Sequence, residues 1–368
     1  MKITHIHIER FRGFQNEDFE VGSLLTAIAG QNGTQKSTLL GIITQTFTLK
    51  TEDSMRVEKP LCGGSYISAF KDKFRLSPTF DKPKGHEWTI SFDAGMDDFT
   101  VESIKRTGDP NVRFWKKGAR QEGDGYISFP TIFLSLKRLV PVAEEAKIIT
   151  DDTLLTQEEL NEFKQLHNKI LIAQTPISSA TTITSKNKQS IGVSTELYDW
   201  NQNSMGQDNL GKIILALFSF KRLHDKYPRQ YKGGILAIDE MDATMYPASQ
   251  VELLKVLRKY ASKLNLQILF TTHSMSLLKA MDDLVQEVTK KEETANQAKI
   301  LYLKKVDDKI AIKQGVNFKG IQLDLNVVAE GNNRKKNRIT AYTEDKENIL
   351  FVKAILKSKA FVLDFVDV

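Results

Sequence analysis

Apolar positions fall into two alternating rhythms along this chain, and the switch between them outlines the fold. Met1 to Glu9 is short and rich in β-branched Ile and Thr, a strand, and Phe11 to Phe14 (FRGF) turns around Gly13. Leu24 to Ala29 (LLTAIA) is a continuous apolar run, as expected of a strand buried on both faces. It opens into a loop carrying Gly30 and Gly33. Beyond that loop Leu39, Leu40, Ile42, Ile43 and Phe47 recur at helical spacing.

From Thr51 to about Pro130 the pattern breaks into short strand-like pieces, such as Glu87 to Phe92 and Ile127 to Leu136. Gly and Pro punctuate them, which predicts an antiparallel β lobe. Asp152 to Ala173 carries a helical apolar set. The Ser/Thr-rich segment TPISSATTITSKNKQS that follows reads as an exposed, mobile connector. Strands then alternate with helices: helix Leu210 to Leu223, strand Gly234 to Ile238, helix Ala248 to Leu264, strand Gln267 to Thr271. Such alternation implies a mainly parallel sheet. After Val306 the rhythm weakens, and the basic stretch GNNRKKNR (331–338) marks a boundary. A strand (Ile339 to Thr343), a helix (Glu347 to Lys357) and a strand (Phe361 to Phe365) complete the tail.

Composition changes this picture little. The 368 residues are 40% hydrophobic and 27% charged, ordinary for a globular protein, and the net charge of +6 permits contact with polyanions without requiring it. No stretch approaches a membrane-crossing run, and the opening MKITHIHIERFRGF lacks a signal peptide's apolar core. The single cysteine, Cys62, excludes an internal disulfide and a thiolate metal cage, which fits a cytoplasmic protein.

The chemistry concentrates at the strand ends. Gly30-Gln-Asn32-Gly33-Thr34-Gln35-Lys36-Ser37-Thr38 joins a buried strand to a helix, the context of a phosphate loop. Backbone N–H groups there would wrap phosphates, Lys36 would reach the β and γ positions, and the Ser37 hydroxyl would ligate Mg²⁺. Gln35 stands where the strict pattern has glycine. Ile235 to Ile238 is an apolar strand ending in Asp239 and Glu240: Asp239 suits the Mg²⁺ shell, and Glu240 suits a general base. His273, ending a second apolar strand, can orient a γ-phosphate and the attacking water. Asn203-Ser204-Met205-Gly206-Gln207 opens a helix, so Ser204 is either an N-cap or part of an anion-gripping helix end.

In order, GQNGTQKST, NSMGQ, ILAIDE, the MDATMYP loop with Asp242, and TTHS resemble the phosphate loop, signature, Walker B strand, D-loop and H-loop of ABC-type ATPases. FRGF is similar to the turn of the RecF, SMC and OLD branch, whose arginine reaches the nucleotide; here that is Arg12. The resemblance implies an α/β ABC-ATPase head over residues 1–330, with a core of 1–50 and 200–300. An inserted lobe at about 51–200 would carry antiparallel β and helical parts. It also implies ATP and Mg²⁺, and a homodimer or higher homo-oligomer that sandwiches ATP with Ser204 acting in trans. Within that branch, SMGQDNLGK and FLSLKRLVP look most like ATPases of bacterial anti-phage systems, such as the PtuA component of Septu and the OLD-like nucleases. A nuclease or effector partner follows from that likeness.

The tail, ITAYTEDKE with Glu344, is similar to the opening of a TOPRIM nuclease domain. It lacks the later Asp-x-Asp, since Asp364 and Asp367 are wrongly spaced, so the chain is not expected to be a nuclease alone. A capping β-α-β unit is the other reading. Arg113, Trp115, Lys116, Lys117 and Arg334 to Arg338 could meet nucleic acid or be solvated loops. Three rival functions remain at this point: a non-hydrolysing nucleotide sensor, a DNA-repair-type ATPase, and a nuclease.

Overall fold

The computed structural model describes residues 1–66, 70–77, 79–93, 95–105, 112–118, 125–140, 147–151, 154–185, 189–331, 339–357 and 363–367. Contacts divide the chain into two compact units, 1–318 and 319–368.

The first unit starts with β1 (Ile3–Phe11), β2 (Phe14–Glu20) and β3 (Leu25–Gly30), then α1 (Lys36–Thr44) and the short β4 (Phe47–Thr48). A single helical turn, α2 (Phe70–Lys73), precedes β5 (Glu87–Phe92), β6 (Phe99–Lys105) and β7 (Val112–Lys116). β1 and β2 form an antiparallel sheet with β5, β6 and β7, in the order β2-β1-β5-β6-β7. Burial alternates residue by residue along β5 and β6, so one face packs inward.

Next come β8 (Ile127–Ser128), β9 (Thr131–Leu134), β10 (Ile149–Asp151), α3 (Gln157–Leu171), β11 (Ser179–Thr184), β12 (Gln189–Ser194) and α4 (Met205–Lys226). β13 (Gly234–Ile238), α5 (Pro247–Lys263), β14 (Leu266–Thr272), α6 (Met275–Val288), β15 (Ala298–Val306) and β16 (Lys309–Lys313) complete the unit. A second sheet runs β16-β15-β3-β14-β13-β9, parallel throughout except for β16. Every residue of β3, β13 and β14 is buried, which is why each reads as a mainly apolar run.

One core joins the two sheets. Ile6, Ile8, Phe11, Trp88 and Phe114 on the antiparallel sheet meet Ala237, Leu269 and Leu301 on the parallel one, with Leu39, Leu40, Ile42 and Ile43 of α1 among them. Helix α1 is therefore enclosed: of its residues only Ser37 is not buried. A helix held this way presents its N-terminus, and little else, to a ligand.

Two sequence expectations change. The segment read as a mobile connector is largely a β-hairpin, with Ser179 to Thr184 paired to Gln189 to Ser194; residues 186–188 lie outside the described set. Thr182, Ile183, Ser190, Ile191 and Val193 are buried, so its hydroxyl-rich composition hid a β-branched strand pattern. The stretch Ile127 to Leu136 is not one strand of the antiparallel lobe. β8 pairs with β4, and β9 forms the edge of the parallel sheet beside β13.

The second unit contains most of α7 (Phe318–Gly331), then β17 (Ile339–Thr343), α8 (Lys346–Leu356) and β18 (Leu363–Asp367), with β17 and β18 parallel. Asp345 caps α8 by accepting from Asn348 N–H at 2.8 Å. Residues 332–338, including the basic Arg334 to Arg338 run, lie outside the described residues. Among the described residues, no helix is long and apolar enough to cross a membrane.

Candidate functional site

Strand β14 lies between β3 and β13, and all three run parallel, so their C-terminal ends share one edge of the sheet. The loop after β3 carries Lys36 and Ser37 onto α1, β13 ends at Ile238 just before Asp239 and Glu240, and β14 leads into His273. Residues more than two hundred positions apart thereby meet. Ser37 Oγ donates to Asp239 Oδ1 at 2.9 Å, and Thr271 Oγ1 donates to the same oxygen at 2.7 Å. The Glu240 N–H donates to Thr271 Oγ1 at 2.6 Å. Thr271, the first residue of TTHS, therefore ties the two strands at their ends. Sequence reading passed over it in favour of His273.

The phosphate-loop geometry is present. Gly33 has φ 82° and open space beyond it, so a side chain there would be strained as well as intrusive to a ligand. Lys36 Nζ folds back over the loop and donates to the Gly30 and Gln31 carbonyls at 3.1 and 3.0 Å. Thr34 Oγ1 fastens the same loop by donating to Gln31 O at 2.8 Å. An ammonium has three donors, so one remains for a phosphate. Burial pulls the Lys36 pKa down, against the opposing pull of Glu240, Asp239 and Asp242. The His273 pKa is also lowered, by burial and then by Lys36, against the opposing pull of Asp242, Glu240 and Asp239. Its backbone N–H faces Asp242 Oδ1 at 3.4 Å.

Gln35 sits at φ 62° and ψ 32°, in the left-handed region, at the N-cap of α1. A β-carbon there costs about 1–2 kcal/mol relative to glycine. Its side chain runs beneath the Arg12–Gly13 turn, and its Oε1 is buried without a hydrogen-bond partner. Arg12 itself reaches α1: Nη1 donates to Thr38 Oγ1 at 3.3 Å, while Nε and Nη2 donate to Asp81 at 3.1 Å each. Asp81 is buried and also accepts from Ser77 N–H and faces His86 Nε2 at 3.0 Å. Burial would raise this carboxyl, but the Arg12, Ser77 and His86 bonds outweigh it and hold the pKa at about 2. Sequence reading had not identified Asp81 as the group that aims Arg12.

Helix α4 starts with a capping box. Ser204 Oγ accepts from Gln207 N–H at 3.3 Å, and Gln207 Oε1 accepts from Ser204 N–H at 2.9 Å. Gln207 Nε2 donates to the Tyr198 hydroxyl at 2.8 Å. A β-carbon on Gly206 would lie 2.5 Å from the Thr244 carbonyl oxygen, so this glycine lets the helix end press against the 240–245 loop. The hydrogen bonds of Ser204 stay within its own cap.

The donor set suits Mg²⁺. Among the described residues, no group of three or more His, Cys, Asp or Glu side chains could hold a metal ion. A hydroxyl beside a carboxylate is instead what Mg²⁺ uses when phosphates and water complete its octahedron. Elsewhere, the cluster around Trp115 is engaged: Lys117 pairs with Glu87 at 2.5 Å, and Lys116 lies over the Phe99 ring. Cys62 is buried, which pushes its thiol up to about 11.

Residues 134–278 match the family described as the AAA ATPase domain. Among solved structures, an SMC head bound to the winged-helix domain of ScpA is 14% identical, covers 88% of this chain and 100% of its own, and superposes with a TM-score of 0.50. The SMC head from Thermotoga maritima is 14% identical, covers 86% and 100%, with a TM-score of 0.46. An SMC head with an extended coiled coil, bound to the C-terminal domain of ScpA from Pyrococcus furiosus, is 13% identical, covers 89% and 99%, and gives 0.48. No curated protein matches the chain. The fold resembles that of an SMC head domain.

Proposed function

We propose that this chain is an ATPase head that binds ATP with Mg²⁺, closes on it as a homodimer and hydrolyses it slowly. The observation that carries the reading is the Ser37–Asp239–Thr271 cluster, with Lys36 beside it. In this mechanism Lys36 holds the β- and γ-phosphates, and the loop N–H groups around Gly33 surround them. Ser37 and Asp239 would hold Mg²⁺, which when bound neutralises charge on the phosphate oxygens. Glu240 accepts the proton of the attacking water, and His273 hydrogen-bonds at the γ-phosphate. Arg12, aimed by Asp81, adds positive charge at the start of α1. Ser204, with the N-terminus of α4, contacts the nucleotide held by the other head.

The motif set's likeness to anti-phage ATPases favours a head that controls a nuclease or other effector. The solved SMC head with a bound ScpA domain supports protein-partner control on this fold. We read the β17-α8-β18 unit as resembling the opening of a nuclease-type fold. Gln35 favours a second reading, a nucleotide sensor with little hydrolysis, because its left-handed backbone carries a side chain where the pattern has none. Steady-state phosphate release by the purified chain, with and without Mg²⁺, tests the proposal. Mg²⁺-dependent release supports it; tight ATP binding with no release leaves the sensor; no nucleotide binding sinks both.

A further inference from the structure

Strand β9 is followed by a tight turn, Leu136–Leu139, that buries one cation. Arg138 is 2% exposed. Among the described residues its guanidinium donates to uncharged acceptors: Nη1 to the Leu134 and Ser135 carbonyls at 3.2 and 3.1 Å, Nη2 to the Glu240 carbonyl at 2.8 Å, and Nε to Asn209 Oδ1 at 2.7 Å. Burying a cation is costly, and the nearby Asp239, Glu240 and Asp242 carboxylates offset only part of that cost, so burial still pulls the Arg138 pKa down. The gain is therefore in what the bonds connect.

Asn209 lies in α4, five residues after Ser204, and is fully buried. Its Nδ2 donates to the Ala243 carbonyl at 2.9 Å. Glu240 is at φ 49°, a left-handed position for a residue with a side chain, and such strain persists only where neighbours hold it. Two bonds do so here: its N–H to Thr271 Oγ1 and its carbonyl from Arg138. The start of α4, the 240–244 loop and the Glu240 backbone thus form one hydrogen-bonded body, with Gly206 pressed on Thr244.

We propose that Arg138 and Asn209 are positioning residues that couple the two nucleotide sites of a closed dimer. The proposal rests on the reading above, in which Ser204 meets the partner's nucleotide while Glu240 acts in its own head. A shift of α4 on meeting that nucleotide is passed through Asn209 and Arg138 to the Glu240 carbonyl. Each head then aligns its own base only when the other is loaded.

The test uses the full chain and the variants Asn209→Ala, Asn209→Ser and Arg138→Lys, each checked by thermal melting. Fluorescent ATP-analogue binding gives affinity, and ATP titrations of phosphate release give kcat and the Hill coefficient. In the variants that melt like wild type, affinity should be unchanged while kcat falls by about 10²-fold, the usual cost of a misplaced reacting group. The Hill coefficient should drop towards one. Losses in Arg138→Lys combined with Asn209→Ala should be no greater than in the worse single variant. Wild-type kcat and cooperativity in a folded variant would overturn the coupling, as would additive losses or a wild-type Hill coefficient of one. A wild-type chain that binds no ATP would instead overturn the ATPase reading beneath it.

Discussion

The Ser37 hydroxyl and the Asp239 carboxylate lie 2.9 Å apart although 202 positions separate them in the chain. Neither needs the other for packing, since Ser37 is exposed and Asp239 is also bonded by Thr271. A serine hydroxyl and a carboxylate held side by side at the mouth of a phosphate loop are what a nucleotide-bound cation requires. Ser37→Ala should therefore leave the fold intact and abolish the Mg²⁺-dependent part of ATP affinity. Nucleotide titrations with Mg²⁺ and with EDTA measure that part; a variant that keeps the full Mg²⁺ effect would remove Ser37 from the metal shell.

Glu240 is held through both its N–H and its carbonyl, so the backbone that carries its side chain is fixed. Glu240→Gln keeps the size and loses the base. Turnover should fall by about 10²- to 10⁴-fold with ATP affinity retained. The trapped complex should elute as a dimer in size-exclusion chromatography with ATP and Mg²⁺. Turnover at the wild-type rate would count heavily against a catalytic role for this carboxylate.

The left-handed Gln35 predicts an unusual gain from mutation. Gln35→Gly removes about 1–2 kcal/mol of backbone strain and a buried, unbonded amide oxygen. It should tighten nucleotide binding or speed hydrolysis. Unchanged or weaker values on both measures would show that the side chain is needed where it lies, under the Arg12 turn.

How far the sequence carried the argument depended on whether a signal was local. The phosphate loop was legible because its Gly, Lys and Ser sit together between an apolar run and a helical one. Asp239 and His273 were legible because each ends a wholly buried strand. The hairpin of 179–194 was not, since its alternating Thr and Ile sit among Ser and Asn that also make loops. Arg138 was out of reach for a different reason. Nothing beside it distinguishes it from Lys137, and the acceptors that explain it, Asn209 and Glu240, lie 71 and 102 positions away.

Asp81 links Arg12 to pH. Its folded pKa of about 2 lies below the ordinary carboxylate value near 3.9. The unfolded chain therefore takes up the proton first. This contribution to stability is complete above about pH 5 and is lost as pH falls towards 2. Asp81→Asn should lower stability by about 1–3 kcal/mol at pH 7, the worth of hydrogen bonds to a charged group. The gap from wild type should narrow in acid. Melting curves of both proteins between pH 7 and pH 2.5 check this, and a gap as wide at pH 2.5 as at pH 7 would contradict it.

The trans role proposed for Ser204 has its own signature. If each site takes its phosphate loop from one head and its α4 N-terminus from the other, Lys36→Ala and Ser204→Arg damage different halves of each site. Either variant alone should be inactive, because every site in its homodimer carries the lesion. Mixed in equal amounts, half of the dimers should be heterodimers. Each of these has one site with an intact Lys36 and an intact Ser204, and one site with neither. By the two-fold symmetry of such an interface, activity should recover to at most about a quarter of wild type. Coupling between the sites through Arg138, which aligns each base only when the other head is loaded, would bring recovery down towards background. Complete inactivity of the mixture, with heterodimers demonstrated by differential tagging, would mean that one intact site cannot work beside a dead one. Full activity of Ser204→Arg alone would remove α4 from the partner's nucleotide altogether.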